Sequence, residues 1–229
     1  DRKIDASLER LQRNFVELYQ LHNRIQSIGD KDNFSAKDIL KKGGVADAME
    51  KLKSDGRIKS IGITALGDID AINEVVLSDC FDVAQIYYNL LNPSASFSSP
   101  GKWNDHNFSN LIKNCKSKDM GLMNIRIYAA GYLATDKRHG REIPITFGID
   151  EMELNKRVEK INFILKDIKG TKSQKALRYG LSNDNMSTIV IGLAKISHLE
   201  EALEGYEIGS LDEEILKKIE ELQNNNFIN

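Results

Sequence analysis

The sequence predicts an α/β fold in which parallel strands alternate with crossover helices. Three observations predict it. Short runs rich in β-branched and aromatic residues recur along the chain, and segments with helical apolar spacing lie between them. No repeat, low-complexity tract or linker interrupts the alternation. At 229 residues the chain is long enough for one sizeable domain over residues 1–229. It is just short of the roughly 250 residues of a standard (β/α)8 barrel.

The elements follow in order. Ile4, Leu8 and Leu11 mark an opening amphipathic helix, so the pattern begins in mid-cycle. FVELYQL at 15–21 reads as the first strand. Val45, Met49 and Leu52 share one face of the next helix, which Gly56 closes, and IKSIGI at 58–63 follows as a strand. Ala71, Val75 and Val76 mark a helix before the strand FDVAQIY at 81–87. Leu111, Ile112 and Cys115 mark the helix before LMNIRI at 122–127. Leu154, Val158, Ile161, Ile164 and Leu165 mark a longer helix, and STIVI at 187–191 reads as the fifth strand. The tail, 207–229, holds a last amphipathic helix, SLDEEILKKIEEL, with Ser210 as the expected N-cap.

Composition excludes several classes of function. Thirty-two basic and 34 acidic residues are interspersed for a net charge of −2, which leaves no electrostatic footprint for nucleic acid or a membrane surface. No apolar run reaches the ~20 residues that span a bilayer, and the charged opening DRKIDASLERLQRN is not a signal peptide. Cys80 and Cys115 lie far apart without ligand spacing and read as reduced thiols of a cytoplasmic protein.

Two connections are long. Residues 23–43 follow the first strand, and residues 88–104 follow the third. Connections of this length are commonly functional or disordered. Both leave the C-terminal ends of their strands, the face on which parallel α/β barrels build active sites.

Five ordered motifs carry a resemblance to a known family. SLERLQRNFVELYQLHN is a leucine-rich helix leading into a strand that ends Leu-His. GGVADAMEKLKSDGRIKSIGIT is a helix, a Gly-Arg turn and a strand ending Gly-Ile-Thr. FDVAQIYYNLLN carries a strand glutamine and Tyr-Asn. AAGYL resembles a loop after the next strand. KALRYGLSNDNMSTIVIGLAKISHLEEAL resembles a closing helix, strand and cofactor loop. Together they resemble the aldo/keto reductases over more than two hundred residues. The resemblance implies a (β/α)8 TIM barrel of which this chain shows the last five strands. It implies reversible hydride transfer between NAD(P)(H) and a small carbonyl or alcohol, such as an aldehyde, ketone or aldose. The alternative is a non-catalytic regulatory or scaffold protein that keeps the barrel.

By the same resemblance His22 is the catalytic histidine that hydrogen-bonds the substrate carbonyl. Without the motif, a satisfied core histidine is the plainer reading. Gln85 would contact the nicotinamide carboxamide, or else cap the barrel layers as a polar core residue. Where the family pairs this glutamine with Ser-Asn, the chain has Thr64-Ala65, which keeps a hydroxyl and loses an amide. Arg126 suits cofactor phosphate or substrate, or a structural salt bridge, and Tyr128 suits either core or nicotinamide stacking. Gly192, Lys195 and Ser197 form the phosphate end, where a helix start near Ser197 favours an anion. Lys195 is the candidate for a ribose 2′-phosphate or a solvated surface lysine, which favours NADP(H) over NAD(H). Glu201 matches the acidic residue aimed at the adenine, while His198 and Ala202 stand where the family has glutamine and asparagine.

The family's proton-donating tyrosine, with its lysine and aspartate, comes from earlier barrel units. Lys3, Asp5 and Tyr19 do not occupy those positions. The expectation is therefore a fragment, inactive alone, with on the order of 90 residues before Asp1 and a tendency to self-associate through open barrel edges.

Overall fold

The computed structural model describes residues 2–98, 103–137 and 149–228. The chain forms two compact units. The first comprises Asp1–Gln85 and Lys113–Leu122, and the second Ile86–Ile112 and Met123–Asn229.

The first unit opens with α1 (Arg2–Leu11), whose Ile4 and Leu8 are buried as the spacing predicts, while Leu11 at its last turn is exposed. Strand β1 (Val16–Leu21) follows. The long connection after it is structured. It holds the short parallel pair β2 (Ile25–Gln26) and β3 (Phe34–Ser35), then helix α2 (Ala36–Leu40), begun by a capping box between Ser35 and Asp38. Helix α3 (Val45–Ser54) buries Ala46, Met49 and Leu52, and Gly56 reverses the chain at φ +71° into β4 (Ile58–Thr64). Helix α4 (Ile69–Val76) buries Ala71, Ile72, Val75 and Val76, and β5 (Val83–Tyr87) follows.

Strands β1 and β4 pair in parallel, with Gln20 opposite Gly62 and Leu21 opposite Ile63, and β4 pairs in parallel with β5, with Thr64 opposite Gln85. In β5, Ala84 and Ile86 are fully buried while Val83 and Gln85 on the other face are partly so, whereas β4 is buried on both faces from Ile61 to Thr64.

Helix α5 (Leu111–Ser117) and strand β6 (Gly121–Ile125) come next, and β5 and β6 each begin in the first unit and end in the second. The second unit continues with α6 (Glu151–Ile164), α7 (Lys172–Leu181), β7 (Thr188–Ile189), α8 (Ile196–Ile208) and α9 (Glu213–Asn224). The sheet order is β1–β4–β5–β6–β7, and β7 pairs in parallel with β6 over Met123–Asn124. The five predicted strands are all present, though β7 is two residues rather than five. The last helix starts later than expected. Its N-cap is Asp212, and the Ser210 hydroxyl instead donates to the Leu181 carbonyl.

Two arginines organise the second unit. Arg178 donates through Nε to Gly209 O, through Nη1 to Lys169 O and through Nη2 to Ser210 O. Arg157, on α6, is 1% exposed. It donates to Asn104 Oδ1 at 2.7 Å, lies 3.8 Å from Asp105 and sits 4.7 Å from the Phe227 ring centre. Burial pushes the Asp105 carboxyl up, against the pull of the His106 N–H and Arg157.

Both cysteines are free thiols. Burial pushes the Cys115 thiol up to about 12, while Cys80 is exposed. Because the thiolate is the reactive form, iodoacetamide should alkylate Cys80 alone in the folded protein and both cysteines in denaturant. Peptide mass spectrometry that finds Cys115 labelled under native conditions would contradict this packing.

Candidate active site

In the first unit the site residues stand on neighbouring strand ends. One residue beyond the Leu21–Ile63 pair, the register sets His22 beside Thr64, and Thr64 is opposite Gln85. Alternation puts these three on the same side as Gln20 and Gly62. Gly62 is needed there, because a Cβ would come within 2.8 Å of Gln20 Cγ. His22 is exposed, so a buried core histidine is not what stands at this position.

The Thr64 hydroxyl, 2% exposed, donates to Gln85 Oε1 at 2.7 Å. That bond holds the amide of Gln85 with its nitrogen unengaged among the described residues. Nε2 is therefore a fixed donor, with two N–H bonds to give. Ala65, fully buried, contributes its backbone N–H, which donates to Gln85 O at 3.0 Å, so position 65 supplies no side-chain amide.

The segment after His22 is stapled to the segment after Thr64. Ile25 N donates to Leu66 O, Asp68 N donates to Ile25 O, and both Ser27 N and Ser27 Oγ donate to Asp68 Oδ2 at 2.6 Å. Gly67 lies in the middle of this contact at φ +132°. Tyr19 stands opposite Ile61 and alternates away from His22, and Asp5 pairs with Arg57. Neither joins the site.

In the second unit, Arg126 follows β6 directly. It is exposed, with φ +61°, and Ala129 and Ala130 also have positive φ. Three such non-glycine residues within five positions mark backbone held in place by its surroundings. The holder is Asn89, of the Tyr-Asn pair that follows β5. Asn89 is fully buried. Its Nδ2 donates to Arg126 O at 3.0 Å, and its Oδ1 accepts from the N–H groups of Leu91 and Asn92. Tyr128 is partly buried. Burial raises its hydroxyl pKa, and the Glu201 carboxylate adds to the shift.

The predicted phosphate end is open to solvent. Gly192, Lys195, Ser197 and His198 are all exposed. Lys195 is the N-cap of α8 and makes no side-chain capping bond, while the His198 N–H of the first turn donates to Lys195 O at 3.1 Å. No ion pair of Lys195 is found among the described residues. His198 Nδ1 accepts from Ala194 N at 3.4 Å and closes the loop onto the helix. Glu201 accepts from the Thr171 hydroxyl at 2.6 Å. The half-turn that carries it is pressed against α7, where a Cβ on Gly205 would lie 3.0 Å from Gln174 Cγ.

The first unit thus sets a strand-end histidine beside a threonine–glutamine pair of parallel α/β sheet, and the second has an exposed lysine at a helix start after its last strand. The aldo/keto reductase family model matches residues 1–224, and the chain belongs to that family. The L-galactose dehydrogenase of Arabidopsis thaliana is 28% identical over 223 residues, which are 96% of this chain and 62% of the plant protein. Among solved structures, the holo form of aldo-keto reductase AKR11C1 from Bacillus halodurans superposes with a TM-score of 0.69 at 21% identity, over 96% of this chain and 65% of that one. An aldo/keto reductase from Klebsiella pneumoniae, solved with NADP and acetate, gives 0.65 at 19% identity, over 96% and 63%. The chain thus spans less than two thirds of the length of each of these relatives.

Proposed function

We propose that these residues form part of an NAD(P)(H)-dependent oxidoreductase acting on a small carbonyl or alcohol. The observation that carries this reading is the trio His22, Thr64 and Gln85 on adjacent parallel strand ends. The Thr64–Gln85 bond of 2.7 Å leaves the glutamine nitrogen as a fixed donor. The donor set fits a nicotinamide. Gln85 Nε2 matches a carboxamide oxygen, with Thr64 positioning the glutamine. When bound, the cofactor supplies or accepts the hydride. His22 donates a hydrogen bond to the substrate oxygen and fixes the carbonyl's direction. Arg126, with its backbone held by Asn89, and Lys195 with Gly192, Ser197 and the open start of α8 serve the phosphates. Glu201 and His198 serve the adenosine end.

NADP(H) is the favoured cofactor because Lys195 is uncommitted and exposed. Lys195→Ala should weaken NADPH by about tenfold to a hundredfold and NADH far less, as loss of a charge-assisted contact costs roughly 1.5–3 kcal/mol. Equal losses in a fluorescence titration of the two cofactors would remove this assignment.

We further propose that the five strands correspond to the last five of the (β/α)8 barrel and that residues 1–229 act as one domain in the cytoplasm. By the resemblance, Lys3, Asp5 and Tyr19 do not occupy the family's proton-transfer positions. A polypeptide of these residues alone, 25.8 kDa by mass, is expected to bind cofactor weakly, to turn over no carbonyl and to self-associate. A carbonyl panel with NADPH oxidation followed by absorbance, on a sample of verified mass, tests this. Cofactor binding weakened by Gln85→Ala supports the oxidoreductase reading. Absence of any nucleotide binding overturns it, and turnover by the 25.8 kDa chain overturns the expected inactivity.

A further inference from the structure

Helix α8 turns an apolar stripe to solvent. Ile196, Leu199, Leu203 and Tyr206 recur along it at helical spacing and are 77%, 43%, 54% and 65% exposed. Beside the stripe runs a groove of about 590 Å³ lined by Leu177, Leu181, Met186, Ile189 and Ile191. Val190 and Leu193, also exposed, continue the apolar surface between β7 and α8. All of these residues belong to the second unit. Strand β7 also ends the sheet among the described residues. A strand edge beside an exposed apolar helix face is a surface that soluble monomers keep covered.

The pattern of the stripe selects its occupant. Its steps are three, four and three residues, so it reads the same in both directions about Glu201. Turning α8 end for end therefore lays Ile196 level with the partner's Tyr206, and Leu199 level with the partner's Leu203. Charge is not symmetric along the helix. Lys195 is exposed at its start, and Glu204 and Glu207 are exposed toward its end. Antiparallel packing sets the cationic, dipole-positive start of one helix beside the acidic end of the other, whereas parallel packing sets like beside like. The same two-fold runs the two β7 edges antiparallel, the arrangement in which edge strands add to one another. Glu200, next to the midpoint, faces its own copy and opposes the pairing.

We infer that a polypeptide of these residues docks a second copy of itself through α8 and the β7 edge, as a closed two-fold dimer. The self-association proposed above thereby gains a surface and a symmetry, and neither depends on nucleotide binding. Light scattering during size-exclusion chromatography should give about twice 25.8 kDa. Ile196→Glu and Leu203→Glu, both at exposed positions, should each weaken the dimer at least about tenfold with an unchanged circular dichroism spectrum. Leu203→Met, which keeps an apolar side chain, should remain dimeric. Glu200→Gln should tighten the dimer by about twofold to fivefold, since it removes a like-charge contact. The inference is overturned by a monomer at micromolar concentration, by open-ended oligomers, or by weakening on Glu200→Gln. It is equally overturned by a dimer that the α8 substitutions leave intact and that Phe163→Glu, at an exposed position of α6, disperses. Failure of nucleotide binding in a sample that stays dimeric would remove the oxidoreductase reading and leave this one standing.

Discussion

Replacing His22 by alanine is expected to lower turnover by about 10²–10³-fold in any catalytically active polypeptide that contains these residues, because an orienting hydrogen-bond donor at the reacting oxygen is worth that much. Cofactor affinity should change little, since in the proposed arrangement it is Gln85 and Thr64 that meet the nucleotide. His22 is exposed and no side-chain hydrogen bond of it is found among the described residues, so the variant should fold. Steady-state kinetics together with a cofactor titration distinguishes the outcomes. A loss confined to cofactor binding, or a variant that unfolds, would show that His22 does something else.

The second large effect concerns folding. Gly67→Ala should destabilise the protein by on the order of 3 kcal/mol. At φ +132° the position is in a backbone region that essentially only glycine occupies, which costs roughly 1–3 kcal/mol for another residue. A Cβ there would also fall 1.8 Å from Ile25 O and 2.9 Å from Ile25 N, and those are backbone atoms that cannot rotate away. The thermal midpoint should drop by about 6–12 °C. Gly43→Ala is the companion measurement. Its φ is +73° with nothing within 4 Å, so it carries the conformational cost without the collision and should lose much less. Equal losses at the two positions would show that the segment after His22 is not held against the segment after Thr64.

The fold was legible wherever periodicity reflects one buried face. Met49 and Leu52 on α3, Val75 and Val76 on α4, and Val158, Ile161 and Leu165 along and just past α6 are buried as their spacing says. It was not legible where tertiary partners decide. Arg157 lies on the apolar face of α6 because Asn104, Asp105 and Phe227, distant in sequence, accept it there. The connection 23–43 hid two short strands and a helix, since strands of two residues carry no period to read. In the site, His22, Thr64 and Gln85 were readable from motif and strand-end position. Asn89 was not. Its role depends on the Arg126 carbonyl thirty-seven positions away, and nothing local to Tyr-Asn announces that bond. Asp68 was missed for the same reason, because its partner is Ser27.

The three carbonyls that Arg178 gathers lie 9, 31 and 32 residues from it in sequence. Pairing β1 with β4, by contrast, closes a loop of 42 residues between Val16 and Ile58 before its first ladder bond forms. Contacts of short separation surrender less chain entropy before they are rewarded. The β4–β5 ladder, where Gly62 meets Val83, spans only 21 residues, so it and the Arg178 junction between Lys169 and Ser210 are both shorter-range closures than the β1–β4 pairing, which is the entropically dearest of the three to form.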